Sequence, residues 1–298
     1  MEPLRPLDGP GDAFERADRL MADTVQRLHG ELGRPVLIGL SGAQGSGKST
    51  TAARLAERLR AEGLSVAVLS IDDVYLTRAE RERLATDVHP LLATRGVPGT
   101  HDLDLAQASI SSLFQADADA LTPLPRFDKT RDDRAPEGDW PVHRGGADVV
   151  LLEGWCIGAR PQPPSDLSGP INLLEQAEDA DGTWRAYVNR ALEGPYRELF
   201  DALDLCILLR APSFERVFAW RSEQERRLER TSASMAPMGA DQLRRFISHY
   251  ERLTRWILKD EPADLVLELD DDRSPRGWRP GHRSRPSERE GHRRHALS

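Results

Sequence analysis

Between Gly42 and Thr50 the chain reads Gly-Ala-Gln-Gly-Ser-Gly-Lys-Ser-Thr: one glycine, four residues, then Gly47, Lys48 and Ser49. Residues of these types at this spacing can cradle a polyphosphate. Gly42, Gly45 and Gly47 can take positive φ and bare their backbone, so that successive N–H groups wrap phosphate oxygens. A helical pattern opens at Lys48, and a helix start aims the positive end of its dipole at the same anion. Gly42, Ala43, Gln44, Gly45, Ser46, Gly47, Lys48, Ser49 and Thr50 are therefore the expected nucleotide-phosphate contacts. Within them Lys48 should reach the β and γ oxygens, and the Ser49 hydroxyl should hold Mg2+.

Three further groups carry candidate chemistry. Val66 to Ile71 is a nearly unbroken apolar run that delivers Asp72 and Asp73. Such a run reads as a parallel strand buried on both faces, and ligands of open α/β sheets sit outside the carboxyl ends of such strands. The plainer alternative is a pair of turn-forming aspartates. Val149 to Leu152 is a similar run ending in Glu153. An apolar strand closing on an acid downstream of a phosphate loop suits Mg2+ binding, directly or through water. The segment Leu121 to Pro136 packs Arg126, Asp128, Lys129, Arg131 and Arg134 into an irregular stretch able to bind an anion. Its alternative is a solvated charge run. Lysine is scarce: only Lys48, Lys129 and Lys259 stand against 38 Arg, so a retained ammonium in this stretch is of interest.

Two more polar stretches flank these. Residues 86–104, rich in Gly and Pro, hold His89, Arg95, His101 and Asp102 and read as a substrate-contacting loop. A later helical stretch, about 213–232, carries Arg216, Arg221, Arg226, Arg227 and Arg230. It is either a lid that brings an arginine to a transferring phosphoryl group, with Arg221 and Arg216 the leading candidates, or a surface helix laced with Glu–Arg pairs.

The elements that must position these residues alternate along the chain. Strands are expected at Val36–Leu40, Val66–Ile71, Val149–Leu152, Asp204–Leu209 and Ala263–Asp270, separated by amphipathic helices. That order implies a three-layer α/β/α fold around a mainly parallel, five-stranded sheet. A leading helix spans about residues 12–32, and Gly63 ends the helix behind the phosphate loop. A helix follows His101, with Asp102 or Asp104 near its N-cap. The domain is expected over residues 1–272. Residues 273–298, with eight Arg and two Glu, read as a basic, disordered appendage.

The net charge of −8 thus resolves into +6 on that tail and −14 on the body, which argues against a nucleic-acid partner. No run of about 18 apolar residues exists, so no membrane span is expected. The first residues lack a basic segment followed by an apolar one, and the two cysteines, Cys156 and Cys206, fall at strands as buried thiols. These features together point to a reducing, cytoplasmic setting.

Taken together, the phosphate loop, Ser70-Ile71-Asp72-Asp73-Val74-Tyr75 and the Glu-Gly-Trp at 153–155 resemble the P-loop NTPase kinases of small metabolites: uridine, pantothenate and phosphoribulo-kinases. Four stretches are most similar to the plant and fungal type of D-glycerate 3-kinase: SIDDVYLT, RGVPGTHDL, LPRFDKTRDDRAP and LLEGWCIGARP. The likeness covers about residues 36–270 in the correct order. It implies transfer of the ATP γ-phosphoryl group to a hydroxyl of a small acceptor, with D-glycerate giving 3-phosphoglycerate, and with ATP and Mg2+ as cofactors. Asp72 aligns with the aspartate that this branch uses to accept the hydroxyl proton, and Asp73 stands as the fallback. Tyr75 would line the acceptor pocket. Arg95, Arg126 and Lys129 are the candidate partners for the acceptor carboxylate, and His101 and Asp102 for its hydroxyls. Val74 stands where the family often has Phe, which bears on acceptor identity more than on reaction class. A same-branch kinase with another acceptor, and a nucleotide-dependent switch without one, are the alternative readings.

Overall fold

The computed structural model describes residues 3–231 and 239–283. In chain order the elements begin with α1 (Ala13–Leu32), β1 (Val36–Gly42), α2 (Lys48–Ala61), β2 (Val66–Ser70), α3 (Arg78–Asp87) and α4 (Leu103–Gln115). Four short strands follow: β3 (Leu121–Pro123), β4 (Phe127–Asp128), β5 (Asp133–Arg134) and β6 (Val142–Arg144). The second half runs β7 (Val149–Gly154), α5 (Leu173–Glu178), α6 (Thr183–Glu193), α7 (Pro195–Asp201), β8 (Leu205–Arg210), α8 (Phe214–Thr231), α9 (Ala240–Asp260), β9 (Leu265–Leu269) and β10 (Pro275–Pro280).

The main sheet has the order β10-β9-β8-β1-β7-β2. β1 pairs in parallel with both β7 and β8, and only β10 is antiparallel. Period-two alternation then sorts the side chains into two layers. Val150, Leu152 and Leu208 face one core with residues of α4, α7 and α9. Val149, Leu151 and Ile207 face the other with residues of α1, α2 and α8. Helices therefore cover both faces, as the α/β/α expectation requires. Among the described residues no helix is long and apolar enough to cross a membrane.

Local chemistry fixes the element ends. Asp12 caps α1 by accepting from the Glu15 N–H, and Gly33 ends it in the left-handed region at φ 60°. Thr77 and Glu80 form a reciprocal capping box at α3.

The sheet has six strands rather than five, and the difference lies in the segment assigned to the tail. Residues 275–280 form β10, so the folded body extends past residue 272. The reason is a buried cation. Arg279 is 1% exposed and is neutralised by Glu261 and Glu268, so a residue that composition counts as tail-like is part of the interior. The rest of the predicted tail, from residue 284 on, lies outside the described residues. Within the proline-rich stretch 160–182, α5 forms behind an Asn172 cap.

Candidate active site

The phosphate loop joins β1 to α2 at the carboxyl edge of the sheet. Gly45 and Gly47 adopt φ 78° and 86°, a region that other residues rarely tolerate. Gly42 differs from expectation. It lies in β1 rather than at positive φ, and it must be glycine for want of space, since a Cβ there would meet Ser46 Oγ at 2.7 Å and Leu209 Cβ at 3.2 Å. No side chain caps the start of α2. Its first-turn N–H groups have no intrahelical partner, which leaves them for an anion. Ser46 Oγ is buried and has no hydrogen-bond partner.

Across from the loop, Glu153 ends β7. Its Oε1 accepts from Ser49 Oγ at 2.9 Å, and its Oε2 is buried without a partner. An orphaned buried carboxylate oxygen beside a hydroxyl is the donor set of a hard divalent cation, so these residues fit Mg2+.

Asp72 and Asp73 do not continue β2. Ser70 Oγ accepts from the Asp72 N–H, and the chain turns through one 3-10 turn at Ile71–Asp73. The two acids therefore do not alternate across a pleat as consecutive strand residues would. Both border one cleft of about 430 Å3, together with Ser49, Arg126, Lys129 and Glu153. Asp72 Oδ1 accepts from Tyr75 Oη at 2.8 Å, and Oδ2 accepts from Lys129 Nζ at 2.9 Å. Burial pushes this carboxyl upward, but the Lys129 and Lys48 charges and the two hydrogen bonds outweigh it. The net effect holds Asp72 well below the usual carboxylate range. Asp73 pairs with Arg126 and accepts the Phe127 N–H at 3.2 Å.

Both cations sit on the segment 121–144, whose short strands form two small hairpins, β3–β6 and β4–β5. The segment predicted to be an irregular charge stretch is thus a flap over the acids.

Behind Asp72, the Tyr75 ring stacks on His101 at 4.6 Å between centroids. His101 is buried and its Nδ1 meets Tyr196 Oη. Tyr196 Oη also accepts the Gly99 N–H, so its own proton is free to go to His101 Nδ1. That arrangement assigns the remaining imidazole proton to Nε2, which is buried with no partner. Burial pushes His101 down to about 4 despite the opposing charge of Asp72, so the ring is neutral at pH 7.

Several other residues predicted for the acceptor make contacts within the scaffold. Asp102 caps α4 through the Leu105 N–H and takes Arg134 at 2.7 Å, which engages both its oxygens. Asp128 Oδ1 closes a turn with Thr130 and Arg131. Arg95 pairs with Asp132 and lies over the Phe127 ring.

In the helix read as a lid, Arg216 pairs with Asp271 rather than reaching the loop. Arg221 bonds Gln224 at 3.0 Å and lies over Phe246. Its backbone lies against the loop: a Cβ on Gly45 would lie 3.4 Å from Arg221 N and 2.8 Å from Trp220 Cβ. The side chains of Arg227 and Arg230 lie outside the described residues.

Sequence reasoning did not single out Tyr196, Asp132 or Arg273. Tyr196 sits among ordinary helix residues with no motif around it, Asp132 is one of several charged residues in the stretch 124–136, and Arg273 was masked by the arginines that follow it.

Comparison with known proteins agrees with this architecture. The family model of the methylmalonyl Co-A mutase-associated GTPase MeaB matches residues 13–76, the stretch from α1 to just past the acids after β2. The uncharacterized kinase mug58 of Schizosaccharomyces pombe is 32% identical over 225 residues, which cover 73% of this chain and 79% of that protein. The chloroplastic D-glycerate 3-kinase of Arabidopsis thaliana is 28% identical over 259 residues, 81% of this chain and 54% of that protein. Among solved structures, D-glycerate 3-kinase from Cryptococcus neoformans superposes with a TM-score of 0.74 at 24% identity, covering 89% of this chain and 99% of that one. With the phosphate loop, the paired acids and the Ser49–Glu153 contact in their places on one sheet edge, the chain belongs to the family of P-loop kinases that includes D-glycerate 3-kinase and the uridine kinases.

Proposed function

We propose that the protein transfers the γ-phosphoryl group of ATP to the primary hydroxyl of D-glycerate, forming 3-phosphoglycerate and ADP, in the cytoplasm. The observation that carries this reading is Asp72, held between Tyr75 and Lys129 on the cleft shared with Ser49 and Glu153. The acceptor oxygen bonds to the γ-phosphorus, the bond from that phosphorus to the bridging oxygen breaks, and the hydroxyl proton passes to Asp72. Lys48 steadies the phosphate oxygens. Ser49 and Glu153 would hold Mg2+, which when bound neutralises charge on the β and γ oxygens.

An anionic acceptor follows from the electrostatics of the same carboxylate. With Lys129 on it, Asp72 is a poor base, because its proton affinity is depressed. An acceptor carboxylate would draw the half-exposed Lys129 ammonium, and Arg126 beside it, away from the acids. Asp72 then recovers basicity when the substrate arrives. A neutral acceptor has no such effect.

ADP release with Mg·ATP against D-glycerate, L-glycerate, uridine, pantothenate and ribulose 5-phosphate tests the reading. Turnover with D-glycerate alone supports it. Turnover with another acceptor keeps the kinase and overturns the substrate, and acceptor-independent hydrolysis overturns the transfer itself.

A further inference from the structure

The turn between β9 and β10 reaches the phosphate loop. Arg273, at φ 73°, donates from Nε to the Gly45 carbonyl at 2.7 Å and from Nη2 to Glu223 of α8 at 2.7 Å. Its guanidinium lies 5.3 Å from the centroid of the Trp220 ring, and Trp220 Nε1 donates to the Asp271 carbonyl at 2.7 Å. Arg216 adds a second tie from α8 to the turn through Asp271. The C-terminal turn, the start of α8 and the apex of the loop are thus one connected unit. None of these contacts involves the acceptor cleft.

The gripped carbonyl belongs to the Gly45–Ser46 peptide, which lies just before Gly47. Gly45, on its amino side, has the wide φ/ψ freedom that lets the peptide plane rotate at little cost, and Gly47 adds the same freedom one residue beyond Ser46. The N–H of this peptide donates to the Ala43 carbonyl at 3.1 Å, so a rotated plane would break that turn and the shape of the loop with it.

We propose that Arg273 is a positioning residue for the phosphate loop. Its forked guanidinium, oriented by Glu223, holds the Gly45–Ser46 peptide in the arrangement that accepts polyphosphate. A fork is needed because two acceptors in different directions must be met at once. The claim concerns nucleotide binding alone, so it is independent of which acceptor is phosphorylated.

Calorimetric titration of the full chain, without acceptor, tests it with Mg·ATP and with magnesium tripolyphosphate as separate probes. Arg273→Gly is the informative variant, because glycine suits φ 73° and leaves the turn unstrained. Its affinity should fall about tenfold for both probes alike, the size expected for losing a charge-assisted hydrogen bond. Arg273→Lys should remain at least about threefold weaker, since one ammonium cannot reproduce the fork. Unchanged tripolyphosphate affinity in Arg273→Gly overturns the proposal, including the case where ATP alone binds less well, which would mark a nucleoside contact instead. Should Arg273→Gly not fold, Glu223→Gln serves. A loss shared by both probes supports the proposal, and unchanged binding of both overturns it.

Discussion

Acidification should cost the protein stability through His101, and the size follows from its surroundings. The ring is 5% exposed, and burial pushes its pKa from 6.5 to about 4, against an opposing pull from Asp72. Between those two values the unfolded chain binds a proton that the native ring refuses. His101 therefore contributes stability that is present above pH 6.5, declines as pH falls through the window from about 6.5 to about 4, and is lost below it. The full loss is on the order of 3 kcal/mol, of which roughly 2 kcal/mol is gone by pH 4.5. His143 and His249 are also lowered by burial, so the wild-type profile alone does not isolate the effect. His101→Gln does, because an amide can replace the hydrogen bonds but does not titrate. Urea unfolding followed by tryptophan fluorescence should show the wild type losing roughly 2 kcal/mol against His101→Gln between pH 7 and pH 4.5. A difference between the two proteins that stays constant over that range refutes the reasoning.

Three other outcomes follow from the same contacts. Lys129→Met should raise KM for the acceptor about tenfold or more, leave KM for ATP within about twofold and raise the pKa of Asp72, as read from pH profiles of both constants. Glu153→Gln should raise the Mg2+ concentration needed for half-maximal activity by about tenfold or more, measured by magnesium titration at fixed ATP. Truncation after Asp272 removes β10 and leaves Glu261 buried beside one fewer cation. Arg279→Met alone should cost about 3–5 kcal/mol in urea unfolding, and the truncated chain should fail to give a cooperative transition.

The parts of this fold that were legible from sequence are those in which local pattern and final environment agree. The apolar runs before Gly42 and Glu153 are strands buried on both faces, the run before Asp72 is an edge strand with Val68 half-buried on the cleft, and their ends meet because β1, β2 and β7 are parallel neighbours. Spacing alone marked Gly45, Gly47, Lys48 and Ser49, since a loop that wraps phosphate is specified residue by residue. The rest depended on partners distant in sequence. Asp102 is one of the two acids expected near the N-cap of α4 and is the one that caps it, whereas Asp128 looks like any acid in a polar stretch until the fold shows it closing a turn. The 3-10 turn that puts Asp72 and Asp73 on one cleft is held by the Ser70 cap and by the Val74 N–H on the Ile71 carbonyl, which no periodicity announces. β10 was hidden for an electrostatic reason. An arginine-rich, apolar-poor segment reads as solvated until Glu261 and Glu268 are seen to neutralise Arg279 inside the protein. Tyr196 is the most instructive omission, because its role is carried by one hydrogen bond to a ring 95 residues away.

If Asp72 takes the acceptor proton, replacing it must remove turnover without removing nucleotide binding. Turnover of D-glycerate by Asp72→Asn and by Asp73→Asn should be measured alongside Mg·ATP affinity for each variant. Asp72→Asn should lower kcat by about 10²–10⁴-fold while ATP binding stays within about twofold, and Asp73→Asn, whose carboxylate anchors Arg126 and the flap, should lose far less kcat. Wild-type-like turnover in Asp72→Asn, or the larger loss falling on Asp73→Asn, would contradict that role for Asp72.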